Sequence, residues 1–76
     1  MDEMRMAANI RTLRRARKET QAEAALAVGI TPGAWGMYET GERIPRDDVK
    51  VKIANHFETT VGSIFFGEKL TPHEEE

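Results

Sequence analysis

The eleven arginines and lysines of this chain, set against thirteen acidic residues, could do chemistry with an anionic partner, and they are unevenly placed. Residues 1–18 hold six basic residues (Arg5, Arg11, Arg14, Arg15, Arg17 and Lys18) against two acidic ones. Residues 19–40 hold three acidic residues and no basic one, residues 41–52 four basic and three acidic, and residues 53–76 one basic and five acidic. The four segments carry +4, −3, +1 and −4, within a net charge of −2. Cations gathered on one face can neutralise phosphates although the whole chain is acidic, because their distribution decides such contacts. An ordinary solvated surface has the same composition, so charge alone leaves both readings open. Arg43 and Arg46 carry more weight, since they lie on one Gly41/Pro45 loop beside the third helix. Arg11, Arg15, Arg17 and Lys18 are each read more simply as an exposed helix face.

Other chemistry finds little support. His56 and His73 are isolated from each other and from carboxylates at ligand spacing, so no metal site is expected. Ser63 lacks a base and an orienting partner in the sequence. The glycines match no phosphate-cradling loop. At 76 residues the chain is small for a water-excluding catalytic pocket. An enzyme is therefore not expected, nor any cofactor.

The elements that position these residues are helices. Thr20 can cap a helix, with Glu23 three residues on completing a capping box. Gly29 can end that helix in the left-handed conformation. Thr31 can cap the next, with Pro32 at its first position, where a missing N–H is harmless. Two short helices across a tight glycine turn make a helix-turn-helix, a common device for placing a helix in a DNA groove. Before it, Met6, Ile10 and Leu13, with Ala7, recur at helical spacing and predict a helix over 4–18. The second helix is predicted over 21–28 with Ala24, Ala25 and Val28 inward, and the third over 32 to 38 or 39. Trp35 and Tyr38, three residues apart, read as core residues rather than a surface for base stacking. After the loop 40–46, a fourth helix is predicted over 47–57, with Val49, Ile53, Ala54 and Phe57 inward. Its acidic Asp47-Asp48 start suits the positive end of the helix dipole. Thr60 caps a last helix over 61–66 that buries Val61, Ile64 and Phe65, with Phe66 partly exposed. No strand or repeat is evident, and five helices on one core make a compact all-α domain over 1–67. An acidic, flexible tail is expected over 68–76.

A domain of this size buries only about 60% of the surface its unfolded chain exposes. With no cysteine, no disulfide or thiolate site can brace it. No apolar run approaches the ~20 residues that span a bilayer, and residues 1–5 lack the apolar core of a signal peptide. The chain is therefore expected to be soluble and cytoplasmic.

Gln21-Ala-Glu-Ala-Ala, Gly29-Ile-Thr31 and Tyr38-Glu-Thr-Gly41-Glu-Arg43-Ile-Pro45 together resemble the lambda-repressor-like, Xre/Cro-type helix-turn-helix domain. Ile53-Ala-Asn-His-Phe57 and Val61-Gly-Ser-Ile-Phe-Phe66 are similar to its closing helices, so the resemblance covers about residues 7–66. It implies that Gln21 and Thr31, at the starts of the second and third helices, approach DNA phosphates. It implies that Thr40, Arg43 and Arg46 hold a phosphate strand. It also implies that Arg14 and Glu39 form a buried or half-buried pair linking the first helix to the end of the third.

The chain departs from that pattern where bases should be read. Family members carry polar side chains on the exposed positions of the third helix, which distinguish bases in the major groove. Here those positions are Pro32, Gly33, Ala34, Gly36 and Met37. None has a polar side chain, and a glycine inside a helix costs roughly 1 kcal/mol relative to alanine. Three readings follow. Ala34 and Met37 touch thymine methyls while DNA shape supplies further specificity; the face binds a protein instead; or base contacts have been lost. The first is preferred. The expected function is a sequence-specific DNA-binding transcriptional regulator that represses by occupying an operator, with double-stranded DNA as partner. It acts as a homodimer on half-sites about 34 Å apart, with Phe65-Phe66 through Leu70 as the dimer candidate. The rival is an antirepressor- or antitoxin-like protein-interaction module on the same scaffold, with a regulatory protein as partner.

Overall fold

The computed structural model describes residues 3–66. The tail expected over 68–76, His73 and the Leu70 part of the dimer candidate lie outside the described residues. Five α-helices follow one another: α1 (Glu3–Ala16), α2 (Gln21–Val28), α3 (Pro32–Thr40), α4 (Asp47–His56) and α5 (Val61–Phe65). Among the described residues there is no strand.

Local signals set most of the boundaries. The Thr20 hydroxyl accepts from the Glu23 N–H at 3.0 Å, and the Glu23 carboxylate accepts from the Thr20 N–H at 2.8 Å. The reciprocal bonds of a capping box thus satisfy two backbone donors at the start of α2. Thr31 caps α3 through the Ala34 N–H at 3.1 Å, and Thr60 caps α5 through the Ser63 N–H at 3.0 Å. Gly29 (φ +86°) and Gly41 (φ +81°) take the left-handed conformation that turns the chain off α2 and α3.

α1 ends two residues short of the expected 18. Lys18 takes φ +59°, the Glu19 N–H donates to the Arg14 carbonyl at 3.1 Å, and the Arg14 guanidinium donates to the Glu19 carbonyl at 2.8 Å. This closure, an N–H bonding five residues back across a left-handed residue, recurs after α4, where Glu58 takes φ +57° and the Thr59 N–H reaches the Ala54 carbonyl at 2.9 Å. α4 therefore stops at His56, one residue early, and α5 at Phe65. α3 runs to Thr40, a little beyond its expected end, because Gly41 supplies the terminating turn.

The core gathers the inward faces of all five helices: Met6 and Ile10 of α1, Ala24, Ala25 and Val28 of α2, Trp35 and Tyr38 of α3, Val49, Ile53 and Ala54 of α4, then Phe57, Ile64 and Phe65. Trp35 is wholly buried and meets Phe57 at a tilt, ring centroids 6.1 Å apart. Leu13, Ile30, Ala34 and Val61 pack against this cluster from its rim. α3 packs on both α1 and α2, while α4 leans on α2 and α5 on α1 and α4. The small residues of α2, Ala24 and Ala25, pack in the core against α3, which joins α2, the turn and α3 in one packed unit.

Candidate nucleic-acid interface

The burial pattern of α3 follows from its position in the fold. Trp35, Tyr38 and Glu39 are buried, so the opposite side, Gly33, Gly36, Met37 and Thr40 at i, i+3, i+4 and i+7, faces away from the core. Gly33 and Thr40 are exposed, and Gly36 and Met37 are half-buried. Thr40 is the one hydroxyl on this line, and it donates to the Met37 carbonyl of its own helix at 3.1 Å. Pro32 and Thr31 are exposed at the start of α3. Ala34 was expected among the exposed contact positions; it is half-buried and packs against the core, because it lies one turn before Tyr38.

Neither glycine of α3 is required by the domain's own packing. A Cβ built on Gly33 would meet only the Thr31 hydroxyl, at 4.0 Å, and one on Gly36 only the Gln21 Oε1, at 3.9 Å. Both are ordinary contact distances. Gly36 thus lies beside Gln21, which brings the start of α2 to the edge of the α3 face.

Glu39 organises this corner of the molecule. Its carboxylate, 3% exposed, accepts from Arg14 Nε at 2.5 Å and Arg14 Nη2 at 3.1 Å, from Gln21 Nε2 at 3.0 Å and from the Trp35 indole N–H at 2.6 Å. Its backbone carbonyl accepts from Arg11 at 3.0 Å. Burial pushes the Glu39 carboxyl pKa up, but the bonds from Arg14, Gln21 and Trp35 outweigh it and hold the group below the ordinary carboxylate value. The same bond, opposed by burial, raises Arg14 above its usual value. Gln21, exposed overall, commits one amide hydrogen of its side chain to Glu39. The Glu39 cluster therefore ties α1, α2 and α3 together and orients Gln21.

Arg43 and Arg46 are exposed on the loop after α3, where the buried Pro45 pins the chain between them. The Glu42 N–H, at 3.0 Å, and the Arg43 N–H, at 3.4 Å, both donate to the Met37 carbonyl, so this loop is fastened to the end of α3. The fold thus gathers Gln21, Thr31, Gly33, Gly36, Met37, Thr40 and Arg43 around α3 and its ends, with Arg46 further on at the start of α4. Arg11, Arg14 and Arg17 are turned to internal work instead. Arg17 pairs with Glu19 at 3.5 Å and lies over the Phe57 ring at 6.0 Å.

The partners of Glu39 other than Arg14, and two further contacts, were not expected from the sequence. His56 bonds Glu19 at 2.9 Å, which joins the end of α4 to the α1–α2 link. Lys50 is buried, with its ammonium over the Phe65 and Phe66 rings at 5.6 and 5.2 Å. The Trp35–Glu39 bond had a local signal, the i, i+4 spacing of donor and acceptor; the other two join residues distant in sequence. Among the described residues no group of His, Cys, Asp or Glu could hold a metal ion, and no helix is long and apolar enough to cross a membrane.

Comparisons with known proteins agree with this geometry. The family model described as a helix-turn-helix domain matches residues 5–62. In solved structures, the chain is similar to the clp gene regulator ClgR from Corynebacterium glutamicum, at 19% identity and a TM-score of 0.76, over 84% of this chain and 68% of that one. A search of curated proteins finds no significant match. The match spans all of α2, the Gly29 turn and α3, and the chain belongs to the helix-turn-helix domain family, of the Xre-like kind that its sequence resembles.

Proposed function

We propose that the chain is a DNA-binding transcription regulator that lays α3 in the major groove of double-stranded DNA and represses by occupying an operator as a homodimer. The observation that carries this reading is the packed α2–Gly29–α3 unit, its outward α3 face bordered by Gln21 and Thr31 and followed by the exposed Arg43 and Arg46. Helix-turn-helix domains use such a unit on DNA, and the structural neighbour is described as a gene regulator. In this reading the side chains of Gln21, Thr31, Arg43 and Arg46, and that of Thr40 once its hydroxyl turns from the Met37 carbonyl, meet phosphates, which fix the register of the helix but carry no sequence information. Arg14 and Glu39 hold the platform. The half-exposed Phe66 beside Lys50 supplies part of the dimer contact.

The test is the salt dependence of binding to duplex DNA. Each neutralised phosphate contributes about 0.9 to the slope of log K against log salt. Arg43→Ala with Arg46→Ala is expected to weaken binding and flatten the slope by about 2. An unchanged slope would remove the phosphate roles of both arginines. The apolar face of α3 and the net charge of −2 favour a second reading, a protein-interaction module on the same scaffold. In that case duplex DNA would compete poorly with a protein partner at physiological salt.

A further inference from the structure

We infer that α3 reads its DNA by backbone proximity and methyl contact, so that its operator is recognised through thymine methyl groups rather than through hydrogen bonds to base edges. This rests on the reading of α2 and α3 as the DNA-contacting unit and adds what that unit selects.

The first observation is the chemistry of the outward line. Gly33, Gly36 and Met37 have no strong hydrogen-bonding side chain, and the Thr40 hydroxyl proton is already given to the Met37 carbonyl. Bidentate pairing to guanine or adenine, which needs a guanidinium or an amide, is therefore missing from this line. What the line offers is the flexible thioether of Met37 and two bare stretches of backbone. The matching feature of the major groove is the thymine C5-methyl, the apolar group on the edge of that base. A half-buried methionine adapts its rotamers to such a group.

The second observation is that the glycines serve nothing inside the domain. Their missing Cβ atoms would meet neighbours only at 3.9 and 4.0 Å, and neither glycine has a left-handed backbone that would demand it. Each nonetheless weakens a nine-residue helix. A Cβ absent from the outward face of a groove-binding helix lets its axis sit closer to the base edges, which brings the half-buried thioether of Met37 into contact with a methyl. The same closeness brings Gln21, at the edge of Gly36, toward the phosphate strand.

The experiment uses the tightest duplex recovered from a randomised pool and compares the wild-type chain with Gly33→Ala, Gly36→Ala and the double variant. Thermal melting is expected to rise by several degrees in each single variant, since alanine favours the helix and finds room. DNA affinity is expected to fall at least tenfold in the double variant although the protein is more stable. In parallel, each thymine of that duplex is replaced by deoxyuridine, which deletes the methyl and keeps every hydrogen-bonding group. At the contacted positions binding should weaken about fourfold per methyl, the factor given by about 0.8 kcal/mol per buried carbon. Wild-type affinity in the stabilised double variant, or no deoxyuridine effect at any position, overturns this inference and leaves DNA binding by α2 and α3 standing. A folded wild-type chain that binds no duplex overturns both.

Discussion

Replacing Glu39 by glutamine removes one charge from the centre of the α1–α2–α3 junction, and the consequences can be worked from the geometry. The carboxylate accepts four hydrogen bonds, two from Arg14 and one each from Gln21 and Trp35. An amide in its place has one acceptor oxygen and one donor nitrogen, so part of that donor set faces N–H instead of oxygen. Arg14, with its side chain only 12% exposed, keeps its charge without a counter-ion. Breaking a buried pair from one side costs about 3–5 kcal/mol. A chain of 76 residues has on the order of 4–11 kcal/mol in total, at about 0.05–0.15 kcal/mol per residue. At about 4–8 °C per kcal/mol, Glu39→Gln should lower Tm by at least ~12 °C. The assay is urea and thermal unfolding followed by tryptophan fluorescence. Trp35 is the chain's one tryptophan and itself donates to Glu39, so its emission reports the site directly. Adding Arg14→Met to Glu39→Gln removes the stranded charge and should recover part of the loss, with a coupling of about 0.5–3 kcal/mol in the double-mutant cycle. A loss below about 1 kcal/mol for Glu39→Gln would place the pair among ordinary surface ion pairs and refute the reasoning.

The same carboxylate sets a pH dependence. Its folded pKa lies below the unfolded value of 4.5, so its stabilisation is present above pH 4.5 and is lost as pH falls through the lower, folded value. The stability gap between wild type and Glu39→Gln should therefore be constant near neutrality and shrink below pH 4.5, as read by urea midpoints across pH. Lys18→Gly and Glu58→Gly should each stabilise the chain by up to about 1 kcal/mol, because an L-residue in the left-handed region costs ~1–2 kcal/mol and the looser unfolded chain offsets part of the gain; melting curves decide. Phe66→Ser exposes no new core, since Phe66 is already 57% exposed, and should reduce dimer formation in sedimentation without lowering Tm by more than a few degrees. An unchanged association constant would move the dimer contact elsewhere.

What the sequence made legible were the features governed by short-range rules. Thr20 with Glu23, Gly29, and Thr31 with Pro32 located both helices of the turn to within a residue or two, because caps and left-handed glycines act within five positions. The inward faces of α2 and α4 followed from spacing alone. Lys18 and Glu58 gave no such warning. Their left-handed backbones close α1 and α4 through bonds that reach five residues back, and nothing in the residue types demands them. Lys50 and the His56–Glu19 contact were hidden for another reason, since their partners meet only once α4 has packed. At the candidate interface, the resemblance assigned Gln21 a place at the DNA backbone. Its bond to Glu39 could not be read from spacing, because it depends on how closely α2 and α3 approach. Ala34 turned inward for a similar reason, as the rotation of α3 is fixed by Trp35 and Glu39 together.

The most direct test of the central claim, that the α2–α3 unit binds DNA in a sequence-dependent way, is selection of the folded wild-type chain on a randomised duplex pool at near-physiological salt, read by sequencing. A DNA-reading homodimer enriches a dyad-symmetric motif whose half-sites lie about one helical turn, roughly 34 Å, or a multiple of it apart. A pool that emerges unenriched from well-folded protein would contradict it.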